Sequence, residues 1–333
     1  MTPIDHRDRV RRVAQRVGSH ALLVDDLSDL RWLTGFVTTN GWAVVRNGEL
    51  HVGTDGRYGD KAVAETAGID ADIIVEQQSG KLAERLDAIV AGAAMFDRGL
   101  ISTLRQVKDG AELERITEAA RIADVALGEV EPLLGTGVTE LEVRAELEFR
   151  MVRHGADDRS YPTIVASGPE HGARPHHGAV RRVIGEGDTV IIDVGALVDG
   201  YHSDMTRSWV VGSSTEEQRD TYELVRRSQV AGLQTVRAGG SSLEVDRACR
   251  DVFDEAGRLN EYVHGTGHGV GLDIHELPFH NQATDVALDA GMVVTVEPGL
   301  YRGGFGGFRI EDLVLVTETG HRVLTHSPKR ELN

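Results

Sequence analysis

Helical and strand-like spacings of apolar residues alternate through the first hundred positions, and the alternation predicts a small α/β domain. The stretch "HRDRVRRVAQRVGS" from His6 reads as a helix and "HALLVDD" from His20 as a strand. "GWAVVRNGELHVGTDGRY" reads as a hairpin turning at Asn47-Gly48, a pair suited to a tight turn between strands. "DKAVAETAG", "ADIIVEQ" and "KLAERLDAIVAG" continue as helix, strand and helix. From Gln106, "QVKDGAELERITEAARIADVALGEV" carries apolar residues at three- and four-residue steps and opens a long helix. The boundary therefore falls within residues 100–108, giving a domain over residues 1–105 and a second over residues 106–333.

The second domain contains a repeat. "GVTELEVRAELEFRMVRHGA" matches "GGSSLEVDRACRDVFDEAG", with Leu141 and Leu243 offset by 102. "GDTVIIDVGALVDG" matches "GMVVTVEPGLYRGG", where Gly187 and Gly291, and Asp193 and Glu297, are each offset by 104. A helix and a following strand matching at nearly one offset predict two copies of a helix-helix-strand-strand unit. Facing copies bring the carboxylates that end their first strands to a common centre, so the fold class expected is α+β with a pseudo-twofold axis.

The charge changes the picture by exclusion. A net charge of -17, from 36 basic and 53 acidic residues, argues against a nucleic-acid or anionic-membrane partner. No window reaches the roughly 20 apolar residues of a membrane span, and the charged N-terminus lacks a leader's apolar stretch, so a cytoplasmic location is expected. The single cysteine, Cys249, precludes an intrachain disulfide and reads as a small core residue.

The acids then acquire a purpose. Asp193 ends "TVIID" and Asp204 follows eleven residues later; Glu297 ends "VVTVE" and Glu311 follows fourteen later. Each hairpin sets two carboxylates close together in otherwise apolar strands. They repel one another and lose hydration unless a cation or proton joins them. His268 lies between the copies in "HGTGHGVGLDIHE", flanked by His264 and His275, and the glycines permit close backbone approach to a ligand. Four carboxylates and one imidazole suit two divalent ions sharing a pocket: Mn, Co, Fe or Zn.

These residues, in "IIDVGALVDGYHSDMTR", "HGTGHGVGLDIHE", "TVEPGLY" and "RIEDLVLV", closely resemble the pita-bread metallopeptidases over residues 108–330. That group includes methionine aminopeptidase, aminopeptidase P, prolidase and creatinase. "DLRWLTGF" and "TDGRYGDKAVAE" are similar to the creatinase/prolidase N-terminal domain, which favours the Xaa-Pro branch. The resemblance implies a pita-bread domain holding two metal ions, with Asp204, His268 and Glu311 on one, Asp193 and Glu297 on the other, and Asp204 and Glu311 bridging. It implies hydroxide attack on the scissile carbonyl, Glu297 as general base, and His176 and His275 as carbonyl-polarising and oxyanion groups. His264 matches a histidine contacting the residue after the scissile bond, whereas His177 reads as a neighbour.

Arg309 stands two residues before Glu311, so strand alternation puts both on one face. It serves either as a pocket cation for substrate or as a partner orienting a carboxylate ligand. Many prokaryotic prolidases carry an arginine after the proline of their "HExP" stretch to hold the substrate carboxylate. "HELPFHNQ" puts Phe279 there, leaving Arg302, Arg309 or an N-terminal residue to substitute. The N-terminal domain reads as abbreviated between Phe96 and Gln106, where relatives carry another helix. The expected function is hydrolysis of the Xaa-Pro bond at peptide N-termini, leaning to aminopeptidase P over dipeptidase, by a homodimer. The alternatives are a hydrolase of a non-peptide amide or other small substrate, and a metal-stabilised binding module.

Overall fold

The computed structural model describes residues 1–135 and 137–332. It forms two units, Pro3–Arg105 and Gln106–Asn333, with Met1–Thr2 belonging to the larger.

In the smaller unit, α1 (His6–Val17) starts at Asp5, whose side chain accepts the Asp8 backbone N–H and satisfies an otherwise orphaned donor. Four strands, β1 (Ala21–Val24), β2 (Gly41–Arg46), β3 (Glu49–Asp55) and β4 (Asp72–Glu76), form one sheet in chain order. The β2–β3 turn has Asn47 at φ 50° and Gly48 at φ 84°, the paired left-handed conformations that match strand twist. The β3–β4 pairing is parallel, and α3 (Gly59–Glu65) makes the crossover. α4 (Ser79–Val90) buries Leu82 in the cluster formed by Ala21, Trp42 and Val44. Two helices depart from the expectation. α2 (Leu27–Thr34) occupies "LSDLRWLT", and α5 (Leu100–Arg105) lies within the segment expected to lack a helix.

The larger unit is built twice. Each copy begins with a helix pair, α6 (Gly110–Val130) with α7 (Glu140–Arg153), and α9 (Glu216–Thr235) with α10 (Ser242–Glu255). All four start with reciprocal capping boxes, namely Asp109/Glu112, Thr139/Glu142, Thr215/Gln218 and Ser241/Glu244. In the first copy, β6 (Ile164–Ser167), β7 (Thr189–Asp193) and β10 (Thr206–Val210) form an antiparallel sheet ordered β10-β7-β6. The short helix α8 (Gly168–His171) follows β6, and β5 (Asp158–Arg159), β8 (Ala196–Val198) and β9 (Tyr201–His202) make a small separate sheet.

In the second copy, β11 (Gly267–Gly269), β12 (Glu276–His280), β13 (Val293–Val296), β16 (Asp312–Thr317) and β17 (Gly320–Val323) are ordered β12-β11-β13-β16-β17. β14 (Gly299–Arg302) and β15 (Gly306–Arg309) form a two-stranded hairpin between them. Gly187 at φ 78° and Gly291 at φ 96° turn the chain into the equivalent strands β7 and β13. The first core packs Ile122, Ala126 and Leu147 on Val165, Val190 and Ile192; the second packs Val245 and Cys249 on Val294 and Val314. Burial pushes the Cys249 thiol up to about 12, which suits an inert core residue.

The two sheets meet along a polar seam. The Glu311 N–H donates to the Thr206 carbonyl at 3.1 Å, and the Ser208 hydroxyl donates to the Arg309 carbonyl at 2.8 Å. Buried Arg207 donates to the Thr206 and Glu311 carbonyls and pairs with Asp312 at 2.8 Å.

Gly267 exists to let β11 approach β13. A Cβ there would lie 2.1 Å from the Thr295 carbonyl oxygen, whereas nothing lies within 4 Å of one at Gly128 in α6. Gly267→Ala should therefore destabilise by about 1–3 kcal/mol through overpacking. Gly128→Ala should stabilise by up to about 1 kcal/mol through helix propensity. Calorimetry should show the unfolding midpoint moving in opposite directions; a Gly267→Ala midpoint at or above the parent's would contradict the steric account.

Candidate metal centre

The pairing registers bring the predicted ligands together. Asp193 ends β7 opposite Thr206, so Asp204, two residues earlier, stands beside it. Glu297 directly follows β13 and Glu311 directly precedes β16, where Val296 pairs with Asp312. His268 is the middle residue of β11 and pairs with Phe279 of β12. These side chains line a cavity of about 470 Å³ together with Tyr161, His176, His264, His275, Phe279 and Arg309.

Asp204, His268 and Glu311 present ligand atoms all within 4.8 Å of one another. His268 Nε2 lies 3.5 Å from both Asp204 Oδ2 and Glu297 Oε1. Its Nδ1 lies 3.0 Å from the Gly269 carbonyl oxygen, so Nδ1 carries the proton and the Nε2 lone pair faces the carboxylates. The Thr295 hydroxyl holds the His268 N–H at 3.0 Å and lies 3.4 Å from Glu297 Oε1. The Thr206 hydroxyl donates to Glu311 Oε2 at 2.7 Å, while Glu311 Oε1 is buried without a partner.

The electrostatics express crowding. Burial, followed by repulsion from Asp193 and Glu297, raises the Asp204 carboxyl well above its usual range. Burial, followed by Asp204, Glu297 and Asp193, does the same to Glu311, and burial also raises Glu297. Burial lowers His264, His268 and His275, favouring neutral imidazoles. Crowded carboxylates, an unpartnered carboxylate oxygen and an available imidazole lone pair form a donor set that fits divalent cations.

Arg309 takes the orienting role. Its Nη2 pairs with Asp193 Oδ2 at 2.6 Å, its Nε donates to the Thr206 hydroxyl, and its Nη1 reaches the Pro175 carbonyl and Tyr301 hydroxyl, all three at 3.0 Å. Of the two roles expected for it, the ion pair with Asp193 is the one this geometry displays, although Arg309 also lines the cavity. The alternation argument also fails in detail: Arg309 ends β15, while Glu311 lies beyond the point where the chain changes sheets. Arg302 is engaged by Glu217 and Glu261 and does not line the cavity.

His176 and His275 line the cavity from exposed positions, and the His275 ring packs edge-on to His268 at 4.3 Å. His264 is more constrained, with Nδ1 2.7 Å from the Gly265 carbonyl oxygen and Nε2 2.9 Å from the Tyr301 hydroxyl. Both ring nitrogens are thus already partnered within the protein. His177 makes its ring contact with His171.

Sequence reasoning missed Tyr161, whose hydroxyl bonds to both Asp193 and Asp204, and Tyr301, which links Arg309 to His264. It also missed Thr206 and Thr295. These lie two residues from Asp204 and Glu297, so strand alternation carried a usable signal for them.

Known proteins share this fold and sequence pattern. The family model for metallopeptidase family M24 matches residues 114–318, and the creatinase/prolidase N-terminal domain matches residues 6–121. A Xaa-Pro dipeptidase of Pyrococcus furiosus is 42% identical over 70% of this chain and 66% of its own length. The structure of a Xaa-Pro dipeptidase from Bacillus anthracis superposes with a TM-score of 0.88 at 33% identity, covering 98% of this chain and 99% of that one. An X-Pro aminopeptidase from Thermotoga maritima superposes at 0.87 with 28% identity, covering 98% and 99%. The chain belongs to metallopeptidase family M24 and has the pita-bread fold, preceded by a creatinase-type N-terminal domain. Among the described residues no helix is long and apolar enough to cross a membrane.

The raised carboxyls make a signed prediction for metal-free protein. An acid whose folded pKa lies above its unfolded value stabilises below the unfolded value, about 4 for these groups, and loses that stability as pH rises through the folded value. Metal-free Glu311→Gln should therefore unfold at a higher temperature than its parent near neutrality, with the gap shrinking towards pH 4. Manganese chloride should reverse the order by stabilising the parent selectively. A constant gap across pH, or no reversal with metal, would contradict the crowding account.

Proposed function

We propose that the chain is a dinuclear metallo-exopeptidase that hydrolyses the bond between an N-terminal residue and proline, acting as an aminopeptidase P rather than a strict dipeptidase. The observation that carries the second half concerns charge. Arg309 is the only arginine or lysine among the cavity-lining residues, and it is fixed on Asp193. Phe279 occupies the cavity wall beside His268. A free carboxylate on a buried proline needs a cation or several donors, whereas an extended peptide carries its carboxylate away from the reacting bond.

In this reading Asp204, His268 and Glu311 would hold one ion, and Asp193 and Glu297, with a share of Asp204 and Glu311, would hold the other. Divalent ions bound there would supply Lewis-acid polarisation and lower the pKa of water. Glu297 takes the proton from the attacking water and passes it to the leaving nitrogen. His176 and His275, exposed at the mouth, stabilise the oxygen that gains charge. Tyr301 and Arg309 hold the His264 ring against the residue after the scissile bond.

Glu297→Ala should lower kcat for Gly-Pro-Ala by at least about 100-fold while the circular dichroism spectrum is retained. Chelation should remove activity, and Mn or Co should restore it; activity indifferent to chelator would sink the mechanism. For substrate length, Gly-Pro-Ala should be cleaved with a higher kcat/KM than Gly-Pro, and Gly-Ala-Ala should resist. Phe279→Arg should shift the preference towards Gly-Pro. Cleavage of Gly-Pro alone by the parent would assign a dipeptidase, and cleavage of none would return the non-peptide reading.

A further inference from the structure

A second cluster of potential ligands lies outside the central site. Glu140, His171 and His177 present one ligand atom each, all within 4.8 Å of one another. The Glu140 side chain is wholly buried at the start of α7. Its Oε1 accepts the Ser167 N–H at 2.8 Å and the Ser167 hydroxyl at 2.7 Å, and its Oε2 accepts the Val180 N–H at 3.3 Å. His171 Nδ1 approaches the same carboxylate at 2.9 Å. The His171 and His177 rings pack tilted at 38° with centroids 4.1 Å apart, and His177 Nε2 is buried with no hydrogen-bond partner.

The repeat supplies an internal control for what the fold requires here. By the offset of 102, Glu140 corresponds to Ser242. The Ser242 hydroxyl accepts the Val286 N–H at 3.0 Å, as Glu140 accepts that of Val180, and each helix start carries one bridge to the following loop, Thr139 to Val183 and Ser241 to Ala287. A small hydroxyl therefore suffices to anchor the loop to the helix. The first copy instead buries a carboxylate and adds two histidines, one with an orphaned nitrogen. A buried carboxylate is costly unless neutralised, and two imidazoles with one carboxylate are a common protein donor set for an open zinc site.

We infer that Glu140, His171 and His177 bind a zinc ion at a site separate from the central carboxylate cluster. The ion would pin the loop that carries His176. Arg309 already grips that loop at the Pro175 carbonyl, so the zinc would hold it just beyond the active-site histidine. The inference does not rest on the peptidase reading, because none of its ligands belongs to the central set.

The test uses the full-length protein and zinc chloride alone. Metal content is counted after gel filtration, both in the parent and in an Asp204→Asn, Glu311→Gln background that disables the central site. His177→Ala should lower the zinc content by about one ion per chain in each background. His177→Phe, which keeps a ring packed on His171 but removes the ligand nitrogen, should give the same loss and guards against misfolding of the first variant. Cobalt substituted in the disabled background should give visible d–d absorption that His177→Phe abolishes. Equal zinc content with and without His177 would overturn the inference and leave a hydrogen-bonded loop anchor. A loss seen only when the central site is intact would also overturn it, because that zinc would belong to the centre.

Discussion

Crowding of two buried acids, Asp204 and Glu311, by the half-buried Asp193 and Glu297 is the constraint to which the rest of the catalytic unit answers. The four acids converge in one cavity, and burial together with the neighbouring carboxylates raises the cost of ionising Asp204, Glu297 and Glu311. The protein compensates only in part. Arg309 supplies one cation to Asp193, Tyr161 bridges Asp193 and Asp204 with a single proton, and Thr206 satisfies one oxygen of Glu311. One Glu311 oxygen receives nothing from the protein. Such an arrangement is poor for the stability of the bare chain and suited to a cation. The strain is local, and the repeated helix-sheet cores on either side are large enough to bear it.

Duplication explains how one chain delivers these acids from two hairpins whose corresponding acids, Asp193 and Glu297, are 104 positions apart. Each copy uses the same capped helix pair, the same glycine turn into its central strand and the same antiparallel return strand. The copies are then joined at their ligand-bearing ends. Thr206 accepts from the Glu311 backbone and donates to the Glu311 side chain, so one residue of the first copy sets both the height and the orientation of a ligand in the second. Arg207 and Asp312, the residues next in chain, form a buried ion pair directly behind. Ligand geometry is therefore determined by the seam between the sheets.

Much of this was legible in the sequence because strand ends, glycine turns and offsets are local signals. The convergence of the five candidate ligand positions follows from the repeat, the hairpin at Asn47-Gly48 from its turn pair, and the core placement of Cys249 from a lone thiol on an amphipathic helix. What escaped depends on where the chain changes direction. Arg309 and Glu311 look like one alternating strand, yet Ile310 and Glu311 carry the chain from one sheet to another, so the arginine reaches Asp193 from a separate hairpin. Tyr161 lies before β6 with no periodic relation to the acids it bridges, and only the folded sheet reveals the contact. The helix at Leu27–Thr34 is short and depends on the Asp26 cap and a left-handed Gly35, signals weaker than its mixed polar pattern. His280 is wholly buried with both ring nitrogens unpartnered, and nothing in its strand pattern distinguishes it from an apolar wall residue.

Differences between the copies locate the chemistry more sharply than their likeness. In the first sheet Ser167 pairs with Val190, and in the second Gly269 pairs with Val294, so His268 occupies the place of Ala166. By the same register Thr295 replaces Ile191, and it is the Thr295 hydroxyl that holds the His268 backbone. One copy thus contributes carboxylates alone, and the other adds an imidazole with its supporting hydroxyl. Two ions held on the proposed reading would be inequivalent: one in an oxygen-rich environment that suits hard cations, the other with a borderline nitrogen donor. The asymmetry continues into the pocket, where β12 beside His268 supplies Phe279 and the loop before it supplies His275. A twofold scaffold presents a one-sided site, as the proposed cleavage of a peptide at one end requires.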